Sequence, residues 1–477
     1  MYWLNEHSKL FLSKGYLLEG VTTEERIRQI AQTAEKILGK EGFADKFYDY
    51  MSRGYYSLAS PIWSNFELEK GFPISCFSSY LGDDMGQILF TQAEVGMMSK
   101  YGGGTAGYFG DLRPRGAIIK DNGVSSGSVH FMRLFETMVN VVSQGSVRRG
   151  HFAPYLPIEH KDIYEFLEIG TEGNPIQELT YAVTVTDKWL NDMISGDQEK
   201  RAIWAKVLQR RSQIGYPYIF FTDTVNNNTV DVYKDKYLKI HASNLCSEIL
   251  LPSNENLSFV CDLSSMNLIH YEDWKNTDAV ETLVYFLDAV MSDFIARLEA
   301  LRDDGDLRKK QTFLFMERAY NFAKANRPLG VGVLGWHSLL QSRMIPFESN
   351  EAQVLNNEIF IDLKKMCYKA SEKLALEYGE PEILAGYGRR NTALLAVAPT
   401  TSSAFILGQV SQSIEPVWSN CYVKDIDKMK VTIKNPLLEK LLMNKNINTR
   451  EIWQSIRDND GSVQHISELS DREKMVF

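Results

Sequence analysis

Ser243-Asn244-Leu245-Cys246-Ser247-Glu248-Ile249-Leu250-Leu251-Pro252 is the stretch on which the reading of this chain turns. A cysteine stands two positions after an amide and two positions before a carboxylate. If the segment is extended, period-two geometry puts Asn244, Cys246 and Glu248 on one face. Together they make a compact chemical kit. The thiol can give up hydrogen, the carboxylate can take a proton, and the amide can orient a hydroxyl.

On either side of this stretch, short apolar runs alternate with helical patterns. YYSLASPIW precedes a helix expected near 84–100, and YAVTVT precedes one near 187–210. LGVGVLGW leads into another helix, and ALLAVAP into a polar loop. Such alternation predicts an α/β fold with a parallel sheet or barrel. The first 50 residues read as a helical segment. Thr22 and Glu25 have capping-box spacing, and Ile27, Ile30, Ala34 and Ile37 recur on one face. Ser470 and Glu473 repeat the capping-box spacing at the start of a short terminal helix. No repeat or linker divides residues 51–477.

Composition narrows the function classes. Of 477 residues, 44% are hydrophobic and 24% charged, an ordinary globular balance. A net charge of -9 argues against general nucleic-acid binding, which leaves a basic footprint. No run of about 18 apolar residues predicts a membrane span, and the N-terminus lacks the pattern of a signal peptide. A cytoplasmic protein is expected. The five cysteines, Cys76, Cys246, Cys261, Cys367 and Cys421, form no CxxC pair. They predict free thiols and no bound metal. Cys367 and Cys421 read as structural. Tyr101-Gly102-Gly103-Gly104-Thr105-Ala106-Gly107 lacks the ending of a phosphate loop and reads as close backbone packing.

Asn-x-Cys-x-Glu followed by an aliphatic run and proline resembles the finger loop of ribonucleotide reductase large subunits. Further stretches match that family in order. Pro73-Ile74-Ser75-Cys76-Phe77 resembles the segment of the first redox-active cysteine, and Phe259-Val260-Cys261-Asp262-Leu263 that of the second. Arg327-Pro328-Leu329-Gly330-Val331-Gly332-Val333 resembles a barrel strand. Ala398-Pro399-Thr400-Thr401-Ser402-Ser403-Ala404, with Ser413-Ile414-Glu415-Pro416 behind it, resembles the substrate-phosphate loop. The resemblance covers nearly the whole chain. It implies a ten-stranded α/β barrel around a central finger loop, incomplete at its C-terminus.

The resemblance also implies roles. Cys246 is the expected thiyl radical that takes the substrate 3′-hydrogen, with Glu248 as base on the 3′-hydroxyl and Asn244 bonded to the substrate hydroxyls. Cys76 is expected to protonate the departing 2′-hydroxyl, and Cys261 to complete a reducing pair. Ser60, Ser75, Pro399, Thr400, Thr401, Ser402 and Ser403 are expected at the substrate; without the resemblance, 400–403 would read as a plain helix cap. Asp83 and Arg113 are expected at an effector nucleotide, in loops beginning Gly82-Asp83-Asp84 and Gly110-Asp111-Leu112-Arg113. Gln144-Gly145-Ser146-Val147-Arg148-Arg149-Gly150 resembles the loop joining effector to substrate. Gln144, Arg148 and Arg149 are its candidates, and the sequence does not choose between the two arginines.

Glu248 and the cysteine pair fit the aerobic and adenosylcobalamin classes and not the formate-using one. The expected enzyme is an aerobic ribonucleoside-diphosphate reductase. Its radical would come from a metal-containing small subunit, with ATP and dNTPs as effectors. Adenosylcobalamin dependence and a non-catalytic nucleotide-binding fragment are the alternatives. A homodimer is implied, and thioredoxin or glutaredoxin as reductant. No ATP-cone domain is recognisable before residue 51. The family's C-terminal tyrosine pair and cysteine pair are not found either. The expectation is that a second polypeptide supplies them.

Overall fold

Ten strands frame the structure, a computed structural model describing residues 1–145, 148–426 and 429–477. They are β1 (Tyr56–Leu58), β2 (Cys76–Tyr80), β3 (Gly104–Tyr108), β4 (Phe152–Pro157), β5 (Ala182–Val185), β6 (Tyr218–Phe221), β7 (Phe259–Asn267), β8 (Leu329–Leu334), β9 (Cys421–Ile426) and β10 (Met429–Lys434). Strands β2 to β6 run parallel, each beside the next. Helices such as Met85–Lys100 and Gln198–Ile214 supply the crossovers that parallel neighbours require.

Strand β7 is the hub. Its first residues pair antiparallel with β2 and its last with β1, while its other edge pairs parallel with β8. All nine of its residues are buried, as a strand covered on both faces requires. A parallel bridge from Val331 to Leu395 extends the sheet beyond β8. Eight strands thus form the curled main sheet, and β9 and β10 pair separately as a hairpin. The ALLAVAP run forms that single bridge and no longer strand among the described residues.

The N-terminal helix spans Thr23–Leu38, and its capping box is formed by Thr22 and Glu25. Ile27, Ile30 and Ala34 are buried as the periodicity predicts; Ile37 is not, and Ala31 and Leu38 complete the face instead. These residues share one apolar cluster with Met266 of β7, Val333 of β8 and Leu283 of the helix Ala279–Asp303. The second capping box also forms, from Ser470 and Glu473.

Candidate active site

The 243–250 stretch enters the structure as a loop, not as the extended strand that period-two spacing suggested. The chain turns at Leu245–Ser247, and Ser247 adopts a left-handed φ of 61°. The cause is Asn244. Its side-chain oxygen accepts from the backbone N–H of Glu248 and of Ile249, both at 3.1 Å, and its carbonyl accepts from Ser247 N–H at 3.2 Å. Local bonding of this kind competes with a strand ladder. The Tyr155 hydroxyl, on β4, donates to the Asn244 carbonyl at 2.8 Å, and the Ser243 hydroxyl donates to the Ile249 carbonyl at 2.6 Å. The loop therefore stands on buried polar bonds with Cys246 exposed at its tip. The Asn244 amide nitrogen and one Glu248 carboxylate oxygen are buried without a partner.

The fold brings the two distant cysteines together. Cys76 opens β2, and Cys261 stands directly opposite it on β7. Facing residues on antiparallel strands have Cα atoms about 4.5–5.5 Å apart, inside the range a disulfide spans. All five cysteines are free thiols here. Cys367 and Cys421 are buried, as expected.

A cavity of about 280 Å³ joins these parts. Cys76, Cys246 and Glu248 line it together with Pro399, Thr400, Thr401, Ser402 and Ser403, with Ser60 and Ser75 also in the wall. The helix Thr401–Ile406 begins in that wall, and no side chain caps it. The Thr400 hydroxyl instead accepts from Ser413 N–H at 2.7 Å, so the plain N-cap alternative does not describe the loop. Arg148 lines the cavity, whereas Arg149 is exposed outside it, which distinguishes the two arginines. Ser57, Ser264 and Ser265 also line it and were missed in the sequence. Adjacent serines inside a wholly buried strand were the available signal. The Ser264 hydroxyl has no partner.

The electrostatics favour neutral thiols. Burial, then the Glu248 charge, pushes Cys246 up to about 11, although its surface is open to the cavity. Burial and the neighbouring Glu248 and Cys246 push Cys76 higher still. Cys261 is raised by burial and by Cys76. Burial raises the Glu248 carboxyl, opposed by the nearby Asn244 side chain, though no formed hydrogen bond joins the two. Near neutral pH the cysteines keep their S–H bonds. That suits transfer of hydrogen atoms and protons better than thiolate attack.

The effector candidates lie apart from this cavity, except Arg148. Asp83 accepts from the Arg113 backbone at 3.1 Å and from its guanidinium at 2.7 Å, so the two residues pair with each other. Gln144 faces inward. Its amide donates to Asn65 at 2.9 Å and to the Lys70 carbonyl at 3.2 Å, between Gly71 and Gly102, where a Cβ would collide with it. Ser146 and Val147 of the same loop lie outside the described residues. The Tyr101–Gly107 stretch packs closely, as expected: a Cβ on Gly103 would lie 2.6 Å from Phe77. Among the described residues no cluster of His, Cys, Asp and Glu is placed to hold a metal. No described helix is long and apolar enough to cross a membrane.

An α/β barrel carrying a cysteine loop and a facing cysteine pair defines a class of thiol-bearing barrel proteins. Comparison with known proteins makes the class specific. The family model described as "Ribonucleotide reductase, barrel domain" matches residues 74–200, 190–382 and 381–477. The chain belongs to the ribonucleotide reductase large-subunit family and is an oxidoreductase of that kind. A solved structure of the Actinobacillus ureae class Id ribonucleotide reductase alpha subunit superposes with a TM-score of 0.92 at 56% identity, covering 100% of this chain and 85% of that one. A protein of Frog virus 3 (isolate Goorha), named as a ribonucleoside-diphosphate reductase large subunit, is 36% identical over 92% of this chain and 78% of its own length. A vitamin B12-dependent ribonucleoside-diphosphate reductase of Thermoplasma acidophilum is 27% identical over 98% of this chain and 61% of its own. The likeness is much greater to the class Id protein than to the cobalamin enzyme, so the adenosylcobalamin alternative is not favoured.

Proposed function

We propose that this chain is the catalytic subunit of a class I ribonucleoside-diphosphate reductase. One observation carries the reading: Cys76 and Cys261 face each other across β2 and β7, and Cys76 shares a cavity with Cys246 and Glu248. In this reading Cys246, as a thiyl, takes the 3′-hydrogen of the ribose. Glu248 takes the 3′-hydroxyl proton, and the unpartnered Asn244 amide donates to a ribose hydroxyl. Cys76 gives its proton to the 2′-hydroxyl, which leaves as water. The pair Cys76–Cys261 supplies two electrons, passes its remaining thiol hydrogen to C2′ and becomes a disulfide, and Glu248 returns its proton to the 3′-oxygen. Cys246 then returns the 3′-hydrogen. The ribose is reduced by two electrons and the pair oxidised by two.

Ser60, Ser75 and the 399–403 loop hold the substrate in this reading. Asp83, Arg113, Gln144, Arg148 and Arg149 serve an effector nucleotide, ATP or a dNTP. An effector at Asp83 must share or open its pair with Arg113. At Gln144 it must draw out a buried side chain. The division of labour is an N-terminal helical segment over 1–50 and a catalytic barrel over 51–477. The initiating radical comes from a metal-containing small subunit, and the working enzyme is a cytoplasmic homodimer of this chain with that subunit. The tyrosine relay and the C-terminal dithiol that thioredoxin or glutaredoxin recharges are supplied from outside these 477 residues.

The test is a single-turnover assay. Pre-reduced chain, small subunit, the relay-bearing polypeptide with its C-terminal dithiol blocked, CDP and effector are mixed without external dithiol. The expected result is about one dCDP per chain, with a Cys76–Cys261 disulfide in the peptide map. Cys246→Ser should form neither product nor disulfide, yet still bind nucleotide. Turnover unaffected by that substitution, or a disulfide elsewhere, overturns the reading.

A further inference from the structure

At the base of the β9–β10 hairpin lies a cleft of about 310 Å³, lined by Cys421, Lys434, Arg450, Trp453, Arg457 and neighbouring hydroxyl and amide side chains. None of these residues lines the cavity of Cys246 or belongs to the loops assigned above to an effector. Cys421 and Lys434 face each other across the hairpin, and Arg450, Trp453 and Arg457 come from the helix Arg450–Asp458. Spacings of three, four and seven put these three on one helical face.

The cleft gathers cations without acids. Among the described residues no carboxylate lines it. Lys434 reaches Glu439 only at 3.9 Å, and neither arginine forms an ion pair among the described residues. The chain as a whole carries a charge of -9, so the cleft is not one part of a generally basic surface. Neutral groups hold the charges in place. The Lys434 ammonium sits 4.7 Å from the centre of the Trp453 ring, a cation–π contact. The Trp453 N–H donates to the Asn448 side chain at 2.7 Å, which fixes the indole. The Arg457 guanidinium donates to the Gln454 amide oxygen. Two of the three cations are thus oriented without being neutralised, which lowers the ordering cost of binding an anion. Burial raises the Cys421 thiol while Arg457 and Lys434 pull it down, so both charges are felt at the floor of the cleft.

We propose that this cleft binds an oligophosphate chain, either inorganic or the tail of a nucleoside triphosphate, at a site separate from the substrate cavity and from the candidate effector residues. Arg450 and Arg457 stand roughly 10 Å apart along the helix axis, a span that suits a chain of phosphates better than a single one. Guanidinium forks match phosphate oxygens, and the hydroxyls of Thr432 and Thr449 add donors. A stacked base plays no part in the recognition, because Trp453 is buried and already carries Lys434 on its ring.

The experiment is titration calorimetry of the intact chain with tripolyphosphate and, separately, with ATP, at fixed ionic strength. Tripolyphosphate should bind the wild-type chain. Arg450→Gln combined with Arg457→Gln should weaken one binding step about a hundredfold, the scale of two charge-assisted bonds. Both side chains are exposed, so the melting curve should not move. If ATP also loses a binding step in the double variant, the cleft takes a nucleotide tail; if only tripolyphosphate does, it takes the inorganic chain. Identical tripolyphosphate titrations of the two proteins overturn the proposal, as does displacement by sulfate at the same ionic strength, which would mark an ordinary solvated basic face. A wild-type chain that binds no tripolyphosphate overturns it as well.

Discussion

The side-chain oxygen of Asn244 accepts two backbone N–H groups, so one buried residue holds the turn that presents Cys246. Asn244→Ala leaves both donors unpaired. The expected loss is about 1–3 kcal/mol of stability, read by urea denaturation, together with activity. The raised Cys246 thiol gives a second expectation. At pH 8 it should react with iodoacetamide far more slowly than an ordinary exposed cysteine. Its rate should then rise with each pH unit toward about 11. Glu248→Gln removes the smaller cause, a negative charge, and should move that profile to lower pH without abolishing the shift. Mass spectrometry of the Cys246 peptide reads both; an inflection near the ordinary thiol range would contradict them. The residue types of the site were legible because their chemistry is local in sequence. The turn was not, since spacing of two fits an extended strand and a side-chain-bonded loop alike. Nor could spacing choose between Arg148 and Arg149, whose surroundings come from other parts of the chain.

Strand β8 shows the same division among elements. Its Leu-Gly-Val-Gly-Val-Leu pattern announced a buried strand, but not what its glycines are for. A Cβ on Gly332 would lie 2.5 Å from the Ala396 carbonyl and 3.5 Å from Ala398 N, both backbone atoms of the segment leading to the phosphate loop. Gly332→Ala must push that segment away. It should cost about 1–3 kcal/mol through overpacking and raise KM for the nucleotide. Unchanged stability and KM would show that the segment can shift freely. The N-terminal helix was read almost correctly because its cap and period are intrinsic. Ile37 failed because the width of the covered face is set by packing partners, which periodicity does not see.

Across the whole molecule, buried ion pairs join distant segments. Asp288, in the helix Ala279–Asp303, meets Arg327 and Arg390 at 2.9 Å each and also accepts from Asn391 at 3.1 Å. Asp288→Ala strands two largely buried guanidinium groups and should cost about 3–5 kcal/mol. Burial alone would raise this carboxyl, but the two arginines outweigh it and hold it below the usual range. Its contribution is therefore complete above about pH 4, the unfolded value, and is lost as pH falls through the lower folded value. Acid titration of stability should be shallower in Asp288→Ala than in wild type. None of this network was legible in the sequence, and the meeting of Cys76 with Cys261 was legible only through the family resemblance. Strand–helix alternation gives the class of fold, whereas register is set by the assembled sheet.

That register has a mechanical side. Strands β2 and β7 meet antiparallel where the parallel set β2–β6 joins the pair β7–β8, so the facing cysteines straddle the seam between the two parts of the barrel. In the proposed cycle each turnover would staple that seam and each recharge would release it. A crosslink closing so long a loop stabilises by at most about 5 kcal/mol in the chain-entropy account. The barrel's resistance to heat would then record its redox state, and a melting curve could count spent subunits without any assay of product.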